Sequence, residues 1–311
     1  MKTFITILLS VPLLLSAGIV SETADTISYQ QSNGETVTVH KLPKRPVVLH
    51  ISLTGMWYAA GGKAIARPHA PRLHVLPEEA RTLPEVGDFY NPNLEKLLAL
   101  KPDLVLLHSK RGKHWEVQKL LRSAGVESVC VDYTNYDDFL TLLDFFSRVN
   151  GNPPEAEAVR KKITSEVDAL CAETAKLKPV TFISMIVSGT GFLSETPRGN
   201  TANMAARLGG RNLVPAASVV RVKYSMEQLL MSDPDVIFLL CAGSNNKLSS
   251  RVRAILDKRP DWRNLKAVRN NRVYVLDAES YLYLPGKRYP EAFLGLAKFL
   301  YPEKDWEKNV K

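Results

Sequence analysis

Cysteine is scarce: Cys130, Cys171 and Cys241 are all that 311 residues contain, and no pair stands in a C-x-x-C spacing. An odd, widely separated set excludes a disulfide framework and a zinc site. Cys130 in "VESVCVDY" and Cys241 in "VIFLLCAG" close apolar runs, where a small buried thiol is expected; one disulfide stays compatible with an exported protein. Basic runs are missing as well. The net charge is +9, yet Lys and Arg are scattered, with no block of five and no basic helix interleaved with aromatics. That patterning argues against nucleic acid and for an anionic small molecule or a loosely basic surface. Catalytic signatures are also absent: there is no G-x-S-x-G, H-E-x-x-H or C-x-x-C-H. "SGTGF" lacks the third glycine of a dinucleotide fingerprint, and "GMWYAAGGKA" has the wrong spacing for a P-loop, with Ala64 where a hydroxyl should hold magnesium. An exported α/β enzyme is therefore the weaker alternative.

What is present is the composition of a folded protein, 45% apolar and 23% charged, without low-complexity tracts. At roughly 100–200 residues per domain the length predicts two lobes. The one long apolar run is at the start, where Lys2 precedes Phe4–Leu15 and the small residues Ser16, Ala17 and Gly18 follow. This is the pattern of an export signal, expected over residues 1–20; Phe4–Val20 contains Pro12 and is at the short limit for a membrane span. Ile19 stands where a lipoprotein site would need cysteine, so lipid anchoring is not expected.

From residue 46 short apolar strands alternate with helical stretches. "PVVLHISL" and "AIAR" read as strands around a helical "MWYAAGG"; "NLEKLLALK", "HWEVQKLLRSAG" and "YDDFLTLLDFFSRVNG" read as helices separated by the strands "PDLVLLHS" and "VESVCVDY". Pro153 and Pro154 open a long helix that Pro179 closes, about 25 residues and roughly 38 Å. The alternation then resumes with the strand "VTFISMIV", the helices "NTANMAARLGG" and "SMEQLLMSD", the strand "PDVIFLLC", the helix "SSRVRAILDKRPDW", the strand "RVYVLDA" and a closing helix "YPEAFLGLAKFLYP". The expected fold is α/β: two doubly wound lobes with mainly parallel sheets, residues 44–151 and 180–311, joined by one long helix over 152–179.

One segment is written twice. "NPNLEKLLALKPDLVLL" (91–107) returns as "KYSMEQLLMSDPDVIFL" (223–239), offset by 227 − 95 = 132 positions. Glu95 falls on Glu227, Pro102 and Asp103 on Pro234 and Asp235. Asn93 and Ser225 are placed to cap the two helices, and the glutamates occupy their first turns, where the helix dipole favours a carboxylate by about 0.3–1 kcal/mol. That effect accounts for one glutamate; it accounts less well for the same charge at the same point of both lobes. Six positions ahead of each stand Phe89 and Arg221, expected in loops that look into a shared cleft, since α/β sheets bind ligands beyond the carboxyl ends of their strands.

The chain resembles the periplasmic substrate-binding proteins of ABC importers for iron–siderophores, haem and cobalamin, the class whose lobes are joined by one long helix. The blocks "VGDFYNPNLEKLLALKPDLVLL", "GTGF", "AARLGGRN", "YSMEQLLMSDPDVIFL" and "DWRNLKAVRNNRVYVLD" carry the likeness in order and spacing over nearly all of the exported chain. The resemblance implies that Glu95 and Glu227 dock on basic residues of a membrane permease, that Phe89 and His108 face the cleft, and that the protein is a periplasmic monomer without chemistry or resident cofactor. Arg221 departs from the pattern, since cobalamin binders carry an aromatic there. A guanidinium suits carboxylate, catecholate or hydroxamate oxygens, so a ferric siderophore is the expected ligand.

Haem and cobalamin are the alternatives within the family. Haem importers often place a tyrosine before the first-lobe "Pro-Glu-x-Ala" segment, where this chain has Leu76; the longer loop "ARPHAPRLHVL" instead supplies His69 and His74 as candidate iron ligands. Further candidate ligand contacts are Arg67, Arg72, Lys110, Arg111, Arg198, Tyr281, Tyr283 and Arg288. Singly each is as readily a solvated side chain; together they would make a positive cleft.

Overall fold

The computed structural model describes residues 17–88, 90–110, 113–188, 191–240, 256 and 258–306. It opens with an antiparallel meander ahead of the first expected strand: β1 (Gly18–Glu22), β2 (Thr26–Gln30) and β3 (Thr36–His40), in that order. β1 takes in three residues of the segment assigned to the export signal. Along β2 and β3 alternate residues Ile27, Tyr29, Val37 and Val39 are buried, the period of a sheet with one covered face. Tyr29 meets Phe145, ring centroids 4.4 Å apart.

The first lobe follows: β4 (Pro46–Val48), α1 (Ile51–Ala59), α2 (Leu94–Ala99), β5 (Leu104–His108), α3 (His114–Ser123), β6 (Glu127–Val131) and α4 (Tyr136–Val149). The three strands pair in parallel, order β4-β5-β6, and β4 and β5 are buried throughout, as strands covered on both faces require. Two expectations are corrected here. The strand expected through Leu53 stops at Val48, because α1 begins at Ile51 and presents no exposed residue; a helix apolar all round carries no periodicity to separate it from a buried strand. "AIAR" forms only the isolated bridges Val47–Ala66 and Arg67–Glu85.

The connecting helix α5 (Pro154–Thr174) has 21 residues, about 31 Å rather than 38. It ends at Thr174, ahead of Pro179, where the N–H groups of Ala175 and Leu177 close on the carbonyls of Cys171 and Thr174 (both 2.9 Å). The second lobe comprises β7 (Thr181–Ser188), β8 (Gly191–Glu195), α6 (Asn200–Arg207), β9 (Arg211–Asn212), β10 (Arg221–Tyr224), α7 (Met226–Ser232), β11 (Val236–Leu240), α8 (Lys266–Arg269), β12 (Val273–Leu276), α9 (Ala278–Tyr281) and α10 (Tyr289–Leu300). Its sheet runs β10-β8-β7-β11-β12, with β9 also on β7. β9, β11 and β12 are parallel members, while β8 and β10 add an antiparallel edge. The helix expected at "SSRVRAILDKRPDW" lies largely outside the described residues, as does Cys241. Cys130 is a buried free thiol, as expected.

The two copies of the repeated segment are built alike. Asn93 accepts a hydrogen bond from Lys96 N–H (2.9 Å), and Ser225 accepts one from Gln228 N–H (3.1 Å). Lys101 and Asp233, the residues before the prolines, both adopt the left-handed conformation, φ 48° and 35°, which ends each helix. Asp103 then accepts from the backbone N–H groups of Lys44 (2.6 Å) and Arg45 (2.9 Å), just ahead of β4, and Asp235 from that of Thr181 (2.9 Å), the first residue of β7. In each lobe the repeated aspartate ties its own strand to the neighbour.

One core runs through both lobes. Tyr136 and Phe139 of α4 meet Tyr289 and Phe293 of α10 at centroid distances of 4.9–5.1 Å, and Ile163 and Val167 of α5 join the same cluster. Asn135 Nδ2 donates to Arg198 O (3.3 Å) and Asn203 Nδ2 to Asp137 (3.1 Å). The lobes are thus held by a packed face as well as by the connecting helix.

Candidate functional site

The facing edges of the lobes carry three groups of side chains. The first lies beyond the carboxyl ends of β5 and β6. The ring of His108 is 4.7 Å from that of His50 and 6.0 Å from that of Tyr133. His108 is 3% exposed, so it sits beneath the rim instead of opening into the cleft. Its N–H donates to Nδ1 of His114 (2.8 Å), and Lys110 N–H donates to its own Nδ1 (3.2 Å). An imidazole that accepts at Nδ1 carries its proton on Nε2 when neutral. Both rings, when neutral, therefore carry their proton on Nε2 and present no bare nitrogen for a metal. Lys110 Nζ is 2.9 Å from Asp132 Oδ2 and donates to Thr134 Oγ1 (2.9 Å). Asp132 Oδ1 is buried with no hydrogen-bond partner among the described residues.

The second group is the loop 67–85, which reaches from the first lobe toward the second. Ala70, Leu76 and Ala80 form a small cluster against Ile51 and Tyr58 of α1, and this roots the loop. Arg67 Nη1 donates to Glu85 (3.0 Å) and to Pro68 O (3.2 Å), while His69 Nδ1 is 3.1 Å from the other oxygen of Glu85. Burial alone would raise the Glu85 carboxyl, but His69 and Arg67 outweigh it and hold it below the ordinary range. At the tip, Arg72 Nη1 lies 2.5 Å and His74 Nε2 3.8 Å from Oε1 of Glu279 in α9. His69 and His74 are thus each matched to a separate carboxylate. Among the described residues no group of three or more His, Cys, Asp or Glu is arranged to hold a metal ion.

The third group is on the second lobe. Arg221 was expected in a loop; it is the first residue of the edge strand β10, in register with Glu195 of β8. Its Nη2 donates to Oε1 of Glu195 (3.2 Å), a carboxylate with no exposure at all. The end of β8 runs into Arg198, whose carbonyl meets Asn135 of the first lobe, so this edge faces the opposite wall.

Other candidates fall elsewhere. Tyr281 does not line a cleft: it is 7% exposed, its hydroxyl donates to Ala292 O (3.3 Å), and burial pushes it up to about 12. A tyrosine between two polar loops reads as exposed in sequence, and only the docking of α10 covers it. Tyr283 is 41% exposed and its carbonyl accepts from Ser52 Oγ (3.2 Å). Arg198 and Arg288 are exposed, the latter ahead of α10. Phe89 and Arg111 lie outside the described residues. Glu95 and Glu227 are exposed in the first turns of α2 and α7, and neither makes an ion pair among the described residues. Sequence reasoning missed His50, His114, Asp132, Glu195 and Glu279. His50 was hidden inside an apolar strand pattern, and His114, Asp132, Glu195 and Glu279 acquire meaning only from the residues that the fold brings to them, His108, Lys110, Arg221 and Arg72.

Residues 47–280 match the family described as periplasmic binding protein. A putative ABC transporter substrate-binding lipoprotein of Bacillus subtilis is 26% identical over 62% of this chain, which spans 61% of that protein's length. The Fe(3+)-citrate-binding protein YfmC of the same organism is 25% identical over 87% of this chain and 84% of its own. Among solved structures, IsdE of S. aureus complexed with heme superposes with a TM-score of 0.70 at 20% identity, covering 83% of this chain and 98% of that one.

Proposed function

Because the chain belongs to the periplasmic binding protein family, we propose that it is the substrate-binding component of an ABC importer, exported to the periplasm, where it captures an anionic iron chelate such as a ferric siderophore between its lobes. The observation that carries the ligand class is a pair of arginines. Arg67 on the first lobe and Arg221 on the second are each held by a carboxylate, and each has a buried Nε with no hydrogen-bond partner among the described residues. Each side chain nevertheless keeps part of its surface exposed, 13% for Arg67 and 30% for Arg221, and through that part a guanidinium N–H would meet a ligand oxygen. Guanidinium groups contributed by both lobes suit a chelate that displays oxygens on more than one side. Iron would then be held by the chelate's own oxygens, without a protein ligand.

Delivery would use Glu95 and Glu227, which present one exposed carboxylate per lobe to basic residues of the permease. The protein binds and releases and works as a monomer. The test is titration of intrinsic fluorescence with ferric citrate, a ferric hydroxamate, haem and cyanocobalamin. Saturable quenching by a ferric chelate, weakened by Arg67→Gln and Arg221→Gln, supports the reading. Quenching by haem or cyanocobalamin alone overturns the ligand class, and turnover of any of them overturns the binding role.

A further inference from the structure

Glu195, which holds Arg221, is the one carboxylate in the described residues that is wholly buried. It is also thoroughly committed. Oε2 accepts from Ser184 Oγ (3.1 Å) on the neighbouring strand and from Ala202 N–H (3.1 Å) in the first turn of α6, while Oε1 accepts from Arg221 Nη2 (3.2 Å). The residue before α6 is Gly199, which has no side chain with which to cap that helix, and Glu195 serves in its place. Gly199 is required there, because a Cβ would fall 2.6 Å from Cβ and Cδ of Glu195.

We propose that Glu195 is the positioning residue that fixes Arg221 at the edge of the second lobe, so that the exposed part of its guanidinium is held ready for a ligand's anionic oxygen before that ligand arrives. The inference rests on the reading of Arg221 as a ligand contact. A free arginine is long and rotamer-rich, and ordering it on binding weakens affinity. Here that ordering is done in advance. One guanidinium nitrogen is anchored in the protein interior, the side chain is 30% exposed, and the Nε lies buried and unmatched among the described residues. The pair is also close to neutral in sum. The second lobe would therefore select by directed hydrogen bonds more than by net charge, which favours oxygen-rich chelates over simple anions. Burial pushes the Glu195 carboxyl up, and the charge of Arg221 is the foremost influence opposing it, so the two groups depend on each other.

The substitution Glu195→Gln separates positioning from scaffolding. With its single oxygen on Ser184 and Ala202, glutamine keeps both of those bonds and turns its NH2 toward Arg221, donor against donor. The first measurement needs no ligand: solvent exchange of the Arg221 Nε–H by nitrogen-15 NMR of the full exported chain. It is expected to be about tenfold or more faster in Glu195→Gln, with the Ala202 amide still protected. Equal exchange in both proteins, or loss of Ala202 protection together with a large fall in Tm, would overturn the proposal and leave Glu195 a helix cap. The second measurement is the Kd for ferric citrate. Glu195→Gln and Arg221→Gln should each weaken it by about tenfold, and the double variant no further; additive losses count against the proposal. Failure of ferric citrate to bind the wild type tells against the ligand class of the preceding subsection, while the exchange measurement still decides the role of Glu195.

Discussion

The guanidinium of Arg72, on a loop of the first lobe, lies 2.5 Å from the carboxylate of Glu279 in α9 of the second. With Ser52 Oγ donating to Tyr283 O at 3.2 Å, it bridges the lobes in addition to the α4–α10 core. Both partners are partly solvated, 36% and 23% exposed, so Glu279→Gln should cost no more than about 1 kcal/mol of stability. Its effect should be local: amide hydrogen exchange over residues 68–80 accelerates in the variant, and high salt reproduces the acceleration in the wild type. Unchanged exchange in that loop would show that the small cluster of Ala70, Leu76 and Ala80 holds it unaided.

Glu95 and Glu227 are exposed and make no ion pair among the described residues, so their replacement should leave the fold nearly untouched. Reversal of both to lysine is expected to abolish uptake in cells while ligand titration of the purified protein is unchanged. The lost interaction with the helix dipole should lower stability by about 0.3–1 kcal/mol per site. If uptake survives the double reversal, the docking assignment is wrong.

Asp235 supplies a pH dependence with a defined sign. Burial alone would raise its carboxyl, but Lys266 and the hydroxyl and N–H of Thr181 outweigh that and hold it at about 2, against an ordinary value of 3.8. Because the folded value is the lower one, the unfolded chain takes up the proton first. The stabilisation is complete above the ordinary value and is lost as pH falls toward about 2. Wild type should therefore unfold at a higher temperature than Asp235→Asn at pH 6, and the gap should close between about pH 4 and pH 2. A gap independent of pH over that window would refute the assignment.

Phe293 is fully buried between α4, α10 and the connecting helix. Phe293→Ala should cost about 3–5 kcal/mol in denaturant unfolding. Since the lobes share this cluster, the loss should appear in the unfolding of both, read by probes placed in each. A loss confined to the second lobe would mean that the lobes unfold independently.

Cys130 is enclosed, and burial pushes its thiol up to about 12. It should resist thiol reagents in the native protein and react on unfolding. Native reactivity at this position would require an opening of β6.

Much of the fold was legible in order along the chain. The unbroken apolar runs of β5 and β11 identify doubly covered parallel strands. Asn93, Ser225 and the two prolines bound their helices, and the offset of 132 positions marks two lobes of one design. These signals work because capping, proline sterics and strand periodicity act over a few residues, within reach of a sequence pattern. The start of α1 at Ile51 was not legible, since a helix with no solvent face has no polar stripe. The hairpin β2–β3 does carry a local signal, alternating strands around a turn through Asn33 and Gly34; what the sequence does not show is that the meander covers α4. The candidate site divides in the same way. Exposure of Glu95 and Glu227 follows from their place in a first turn. Burial of Tyr281 and His108, the pairing of Arg221 with Glu195 across two strands, and the reach of Arg72 to Glu279 over 207 positions follow only from tertiary contact. Whether a half-polar side chain is ligand-facing or enclosed depends on which distant surface comes to lie over it, and local sequence carries no record of that surface.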